Sequence, residues 1–356
     1  MYKKFFMGIA ATAALTLVSC SSDDLNSLSD TPSKNEAISF DSYLGRSAVS
    51  VNGSRGSVLD KTALQGLTEG FGVFGNYIST AETTPTYGEN LFKNQKVTYK
   101  TSAEASAWTY NPVKYWPTEG HINFLAYAPY VENQELKEKS KLDFTVSTTI
   151  AEQKDLLWAN AANQTMQNNS GTDKKVKFQF AHALSRLGYT VKLNNDYTGT
   201  TIKLQKITLA GSNDGTTNAF YTKGTIDLSK PSTSTADLWA TSETDTKQKF
   251  DWFSGTQTLA TTDYKNPNAN YLFVIPQDFS QETENPNKLF VVVEYTVKTG
   301  ATEEVMSKVS KQITTNFLQG KAYLINLTLG LTPIEFDVTT VEGWTDTNQG
   351  EINVWN

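Results

Sequence analysis

The sequence VKFQFAHALSRLGYTVKL, residues 176–193, indicates the fold class of this chain. Apolar residues alternate with other residues in two runs, at Val176, Phe178, Phe180, Tyr189, Val191 and Leu193. A period of two sends successive side chains to opposite faces, which is typical of antiparallel strands with one buried face. Between the runs, residues 181–187 fit either one helical turn or a bulged strand. The stretch therefore predicts two strands with a short irregular connection.

The same alternation recurs along most of the chain. It appears at residues 38–44, 71–74, 121–127, 202–209, 289–297, 323–329 and 334–338. Valine, threonine, tyrosine and phenylalanine are frequent in these runs, and such residues favour strands. Turn clusters such as Asn266-Pro267-Asn268 separate them. Helical patterns are few, at residues 60–67 and 102–107, so we predict an all-β protein built of β-sandwiches.

The length of the chain, 356 residues, is sufficient for two domains of ordinary size. Residues 160–175 are rich in asparagine and glutamine, which is the composition of a linker or a long loop. We therefore predict an N-terminal β-sandwich domain over residues 37–170 and a C-terminal one over residues 175–356. Aromatic residues make up 12% of the chain, so both cores should rely on large rings.

The N-terminus resembles the signal peptide of a bacterial lipoprotein. Lys3 and Lys4 precede a short apolar stretch, which ends in Leu17-Val18-Ser19-Cys20, a sequence similar to a lipobox. We predict a signal peptide over residues 1–19, lipidation of Cys20, and a flexible tether over residues 20–36. Cys20 is the only cysteine, so no disulfide within the chain is expected. Several acyl chains on one residue would anchor the protein firmly to a membrane.

Charge and motifs argue against two classes of function. The formal net charge is -6, so the chain lacks the basic surplus that neutralises phosphates, and we expect no nucleic-acid partner. Only two histidines occur, His121 and His182, and we expect both to be structural. Asn213-Asp214-Gly215 resembles a fragment of a calcium loop, but we predict an ordinary turn there. We expect no cofactor, no metal and no enzymatic activity.

A cluster of aromatic residues allows two interpretations. It comprises Trp108, Tyr110, Tyr115, Trp116, Tyr127 and Tyr130. Exposed rings in such a cluster could stack on sugars, whereas buried rings would build the core of a sandwich. We favour the core.

An ordered set of short motifs carries a resemblance to one family. The motifs are Trp108 with Tyr115-Trp116-Pro117, then residues 122–129, 155–159 and 176–187. Their order after a lipobox resembles the fimbrillin lipoproteins of Bacteroidetes, of the Mfa-like and FimA-like kinds. The resemblance runs from the lipobox to roughly the C-terminus. It implies two transthyretin-like β-sandwich domains in tandem, in a subunit of a type V pilus.

The resemblance also implies a route of assembly. Family members reach the outer membrane as surface-exposed lipoproteins, and an Arg-specific protease removes the tether and the first strand. A strand from another pilin subunit then fills the open groove and joins the fimbrium. Arg46 and Arg55 follow the predicted first strand and are the cleavage candidates, while Ile352 and Val354 are donor-strand candidates. For the C-terminal segment, folding back into its own domain is an equal alternative.

The predicted function is therefore a structural or tip subunit of a type V pilus that serves cell adhesion, with a host protein or glycan as a further partner. An anchor subunit is also compatible with the sequence. The alternatives are a surface glycan-binding lipoprotein of a polysaccharide uptake system and an extracellular hydrolase. The missing catalytic constellation disfavours the hydrolase.

Overall fold

A computed structural model of the chain describes residues 36–44, 61–102, 106–169, 174–231, 238–242, 246–266, 271–280, 287–330 and 335–341. Strands account for nearly all the regular secondary structure of these residues. The prediction of an all-β protein is confirmed.

Seven strands form the first sheet. They are β1 (Phe40–Leu44), β2 (Phe71–Ile78), β3 (Phe92–Thr101), β4 (Ser106–Thr109), β5 (His121–Ala128), β7 (Leu157–Gln164) and β8 (Val176–His182). Their spatial order is β1-β8-β7-β5-β2-β3-β4. The pairing of β1 with β8 is parallel, and the other neighbouring pairs are antiparallel.

The first sheet curves around one hydrophobic cluster, which we call the first core. Phe40, at one end of the strand order, lies with its ring centroid 5.6 Å from those of Phe92 in β3 and Phe124 in β5. Burial of such rings dominates the stability of a core, because each one removes a large apolar area from water. Phe71, Phe178 and other aromatic residues complete the cluster.

A second group of strands forms two further sheets. They are β9 (Ser185–Leu193), β10 (Thr200–Ala210), β15 (Phe250–Thr258), β16 (Tyr264–Lys265), β17 (Leu272–Val274), β19 (Phe290–Thr299), β20 (Val305–Gln312), β22 (Ala322–Leu329) and β23 (Glu335–Val341). One sheet has the order β15-β10-β19-β20, and the other has the order β16-β9-β22-β23 with β17 also paired to β9. Buried residues from both sheets meet in a second core.

A three-stranded sheet joins the two groups. It contains β6 (Lys141–Thr145), β12 (Lys223–Asp227) and β13 (Trp239–Ala240) in the order β13-β12-β6. Because β6 precedes the first sheet's last two strands and β12 follows β10, the sheet combines strands from both parts of the chain. Two short pairs complete the fold, β11 (Phe220–Tyr221) with β14 (Lys247–Gln248) and β18 (Gln277–Asp278) with β21 (Asn316–Phe317).

A bridging core lies beside this joint sheet. It contains Phe74, Leu125, Tyr127, Leu142, Val146, Leu156, Trp158, Ala183, Leu184, Ile226, Leu228, Leu238, Phe273 and Ile275. Strand β5 is therefore buried on both faces: Phe124 points into the first core, and Leu125 into the bridging core. The alternation in residues 121–127 predicted one buried face only, since sequence does not reveal what covers the second.

Helical structure in the described residues is limited to α1 (Lys61–Gly66) and a 3-10 turn at Ile150–Glu152. The first falls within the predicted helical pattern at residues 60–67. Neither is long and apolar enough to span a membrane.

The connection between the two groups of strands differs in detail from the prediction. Strand β7 continues to Gln164, so the first part of the predicted linker is strand. Strand β8 lies beyond residue 175, where we predicted the second domain to begin, yet it pairs with β1 and with the start of β7. The chain passes to the second group after His182. Residues 181–187 form strand ends around a short connection and not a helical turn.

Glu82 fixes the loop between β2 and β3. Its Oε1 accepts hydrogen bonds from the Thr86 backbone N–H at 2.9 Å, from Asn123 Nδ2 at 2.5 Å and from His121 Nε2 at 3.1 Å. Desolvation raises the pKa of Glu82, but the hydrogen bonds from Thr86, His121 and Asn123 outweigh it, and the pKa falls to about 2. The folded protein therefore favours the ionised carboxylate.

Glu82→Gln should weaken the acid sensitivity of folding. Above the ordinary pKa of 4.5, Glu82 is ionised in both states and contributes its full stability. As the pH falls from there toward 2, the unfolded chain binds the proton first, so this contribution is lost. The difference in unfolding free energy between wild type and Glu82→Gln should therefore shrink as the pH falls over this range. Urea unfolding at pH 6, 4 and 3 measures it; a constant difference would contradict the assigned role.

Candidate assembly site

The candidate site is the groove that β1 occupies. Strand β1 pairs in parallel with β8, with Phe40 opposite Val176 and Leu44 opposite Phe180. The backbone N–H of Val176 donates to the Ser39 carbonyl at 2.9 Å. On its other side, residues just before β1 contact the segment that precedes β5: Ile38 N–H donates to the Lys114 carbonyl at 2.8 Å. The groove thus offers backbone partners on both sides.

Alternate residues of this segment point into the first core. Ile38 and Phe40 are each 1% exposed, and Leu44 is 9% exposed. The Phe40 ring lies between four aromatic rings, with centroid distances of 5.3 Å to Tyr110 and 5.6 Å to Phe92, Phe124 and Phe178. The Tyr110 hydroxyl also donates to the Ile38 carbonyl at 2.7 Å. Phe40 is therefore the anchor that fixes the register of β1.

Ser42 is the exception among the inward-facing residues. It is 3% exposed, and its hydroxyl has no hydrogen-bond partner in the described part of the chain. A buried hydroxyl without a partner loses its hydration and gains nothing in return, which costs about 1–3 kcal/mol. Strand β1 is thus anchored at Phe40 but poorly matched to its groove at Ser42.

Ser42→Ala is expected to raise the free energy of unfolding by about 1 kcal/mol, because it removes the unpaired hydroxyl without adding volume. Chemical denaturation measures the change. Ser39→Ala is the control, since the Ser39 hydroxyl donates to the Lys174 carbonyl at 3.0 Å and its loss should be neutral or slightly destabilising. A less stable Ser42→Ala protein would show that the hydroxyl is satisfied.

Most residues predicted for processing and assembly lie outside the described residues. These are Cys20, Arg46, Arg55, Ile352 and Val354. Strand β1 ends two residues before Arg46 in the sequence, and α1 begins at Lys61. Both cleavage candidates therefore lie between β1 and the rest of the first sheet.

The third arginine is shielded. Arg186 is 4% exposed and lies in β9, which pairs with β17 on one side and β22 on the other. Its guanidinium stacks over the Tyr271 ring at 4.5 Å, and its backbone N–H donates to the Lys321 carbonyl at 3.0 Å. A protease that needs an extended, accessible arginine could not reach it in the folded protein.

Most of the predicted aromatic cluster is buried. Trp108, Trp116 and Tyr127 are 6%, 5% and 1% exposed, whereas Tyr115 is 54% exposed. Tyr110 and Tyr130 are half-buried. Trp108 and Trp116 belong to the first core and Tyr127 to the bridging core. The rings form packing layers and not a flat exposed platform for sugars.

The remaining polar candidates have structural partners. His182 Nδ1 lies 2.7 Å from Asp155 Oδ2 where β8 ends, and His121 contacts Glu82. The Asp214 carboxylate accepts hydrogen bonds from Ser212 and Thr216 within its turn, and these lower its pKa to about 2. Within the described ranges, no three histidine, aspartate or glutamate residues converge in a way that would hold a metal ion.

One feature of the C-terminal part escaped the sequence prediction. The motif Ile38-Ser39-Phe40-Asp41 recurs as Ile334-Glu335-Phe336-Asp337. The second copy enters β23, which stands at the end of its sheet and pairs only with β22 among the described strands. A search for identical spacing of apolar residues between the first and last strands would have revealed the recurrence.

Comparison with known proteins identifies related chains. A family model described as fimbrillin-like matches residues 62–344. No curated protein matches the chain.

Solved structures also align with this chain. A fimbrial protein from Bacteroides vulgatus ATCC 8482 aligns with a TM-score of 0.63 at 20% identity, over 87% of this chain and 100% of its own. A candidate cell adhesion protein from Bacteroides uniformis ATCC 8492 aligns with a TM-score of 0.47 at 18% identity, over 88% and 100%. The tip fimbrial protein Mfa3 from Porphyromonas gingivalis aligns with a TM-score of 0.35 at 12% identity, over 77% and 99%. The first of these shares the fold of the present chain.

Proposed function

Because the chain belongs to the fimbrillin-like family, we propose that it is a structural or tip subunit of a type V pilus, exported as a lipoprotein and assembled by donor-strand exchange for cell adhesion. The observation that carries the proposal is the position of β1. This strand is the first among the described residues, lies at the end of its sheet and fills the first core with Phe40. We take the first and second cores to be the two transthyretin-like sandwiches.

Selective processing is the first step of the proposal. Lipidated Cys20 holds the precursor at the outer membrane, and cleavage after Arg46 or Arg55 separates the tether and β1 from the rest. The burial of Arg186 supports this selectivity, because a folded subunit then offers an Arg-specific protease no arginine beyond Arg55. The released body would keep the second core and the part of the first core that follows β1, since α1 and every strand after it follow the cleavage candidates.

Strand exchange is the second step. Loss of β1 leaves β8 with an unpaired edge and uncovers the rings around Phe40, which is an unfavourable exposure of backbone and apolar surface. A strand from another subunit with apolar residues at alternate positions would restore both. Backbone hydrogen bonds would supply affinity, and the pocket at Phe40 would select the register.

The donor belongs to the C-terminal part of a neighbouring subunit. Ile352 and Val354 remain candidates, and the motif at residues 334–337 adds a second segment that repeats the spacing of β1. Aligned on this motif, Val338 takes the position of Ser42. A valine there would fill the groove without burying an unpaired hydroxyl, whereas Thr340 would replace the buried Leu44.

The alternative of a glycan-uptake lipoprotein loses the residues that suggested it, because Trp108, Trp116 and Tyr127 are buried. Assembly by strand exchange would use the position of β1 at the end of its sheet, whereas a binding protein of an uptake system has no need of such exchange. A non-enzymatic role follows from the proposal.

An Arg-specific protease tests the proposal on the unlipidated precursor. We expect cuts only at Arg46 or Arg55 by mass spectrometry, followed by filaments in electron micrographs. The double variant with Arg46→Lys and Arg55→Lys should block both cleavage and filament formation.

Synthetic peptides of residues 334–341 and 350–356 distinguish the two donor candidates, since the true donor segment should bind in the groove and stop filament growth. Complete cleavage and loss of β1 without any polymer would refute strand exchange.

A further inference from the structure

A polar cleft separate from the β1 groove lies beside the joint sheet. Its walls come from the loop after β2, the turn before β6, strand β7 and the segment after β12, and its volume is about 610 Å³. Lining residues that matter here are Thr84, Tyr87, Lys139, Asn160, Ala162 and Ser229. A volume in this range is typical of sites for small ligands.

Hydrogen bonds behind the surface hold the walls of this cleft rigid. Asn160 Nδ2 donates to the carbonyls of Leu228 at 2.9 Å and Lys230 at 2.7 Å, which ties β7 to the segment after β12. Asp227 accepts from the Ser140 hydroxyl at 2.9 Å and from the Ser229 hydroxyl at 2.6 Å. A preformed site loses little conformational entropy when it binds a ligand.

Hydrogen bonds also hold the wall that the loop after β2 forms. Glu82 accepts the Thr86 N–H, and the Thr86 carbonyl accepts from Asn76 Nδ2 at 2.9 Å and Asn123 Nδ2 at 3.0 Å. On the opposite rim, Glu138 and Lys139 have φ angles of +47° and +69°. Positive φ at both central residues is typical of a tight turn, and the Ser140 N–H closes this one by donating to the Lys137 carbonyl at 3.2 Å.

The cleft also presents unused hydrogen-bonding groups. The hydroxyls of Thr84 and Tyr87 and the Oδ1 of Asn160 have no partner among the residues that the structure describes, and the Lys139 ammonium forms no ion pair there. Glu138 is paired with Lys141 at 2.5 Å. Among the described residues, the surface of the cleft is therefore rich in neutral donors and acceptors, and the Lys139 ammonium at the rim has no carboxylate partner.

We propose that this cleft is a binding site for a short neutral oligosaccharide. Hydroxyl and amide groups match the donors and acceptors of a sugar, and the half-buried Tyr87 ring offers an apolar face to its C–H groups. An apolar ligand would leave these polar groups unpaired, and a strongly anionic ligand would need more than one cation. The site does not depend on strand exchange, and it would give the subunit an adhesion ligand.

A glycan array probed with the full mature chain tests the site, and isothermal titration then measures the affinity for the glycans that bind. Ala162→Phe should fill the cleft and abolish binding, while Ala107→Phe in β4, outside the cleft, should leave it unchanged. Thr84→Ala and Tyr87→Phe should each weaken binding by about 2- to 10-fold, as loss of one hydrogen bond predicts.

Several results would overturn the proposal. They are an array without a bound glycan, full binding by Ala162→Phe, or capture of peptides instead of sugars by the cleft. The unfolding midpoint of each variant shows that the fold is retained; if Ala162→Phe fails to fold, Thr84→Ala and Tyr87→Phe carry the test. Filament formation by Ala162→Phe separates this site from the proposed assembly, because strand exchange should proceed normally when the cleft is filled.

Discussion

Phe40→Ala is expected to lower the free energy of unfolding of the precursor by about 3–5 kcal/mol, as large-to-small changes of buried aromatic residues do. Phe40 is 1% exposed and contacts rings from β3, β5 and β8 as well as Tyr110. Alanine would leave a cavity between these rings. The cavity cannot close because three strands and the segment that carries Tyr110 hold the rings apart. Urea unfolding of the unlipidated precursor measures the loss.

The same variant should change assembly in the opposite direction. A weakened β1 leaves its groove more readily after cleavage, so filaments of Phe40→Ala should appear sooner than those of wild type. Phe279→Ala is the matched control: Phe279 is also 1% exposed and packs on Phe220 and Phe317 in the second core. It should destabilise comparably without faster assembly. Equal acceleration by both variants would mean that general instability, and not release of β1, sets the rate.

The sequence predicted those strands whose side chains alternate. Val176, Phe178 and Phe180 have polar neighbours, because the other face of β8 is exposed, and the period of two is therefore visible. Strand β5 is buried on both faces. The alternation of Ile122, Phe124 and Ala126 therefore revealed only the face that packs into the first core. Burial of Trp116 agrees with the favoured interpretation of a core, although the sequence left the alternative open because an aromatic residue has the same identity in a core and on a binding platform.

Pairings between distant segments could not be predicted from local pattern. Strands β1 and β8 lie far apart in the sequence but pair in parallel. No local periodicity encodes which distant strands pair or in which register. The joint sheet of β6 and β12 is a second example, because each strand alone resembles any short amphipathic strand. The cleft beside it follows from this pairing, so its residues carried no signal of their own.

Trp158→Ala is expected to uncouple the two groups of strands. Trp158 is 1% exposed in the bridging core, where residues of the first sheet meet Ile226, Leu228 and Phe273. Its Nε1 donates to the Lys230 carbonyl at 3.2 Å, a bond between β7 and the segment after β12. The substitution should lower the free energy of unfolding by about 3–5 kcal/mol through the cavity that the lost ring leaves, while Asn160 Nδ2 still donates to the Lys230 carbonyl at 2.7 Å.

Calorimetry distinguishes loss of coupling from simple loss of stability. Two cores that share a large apolar contact unfold together, whereas cores with a weakened contact unfold independently. Wild type should therefore show one transition and Trp158→Ala two. Trp252→Ala, which removes a 3% exposed ring from the second core, should lower the midpoint but keep one transition. If Trp158→Ala also unfolds in a single step, the bridging core is not what makes unfolding cooperative, and the joint sheet of β6 and β12 would have to supply the coupling.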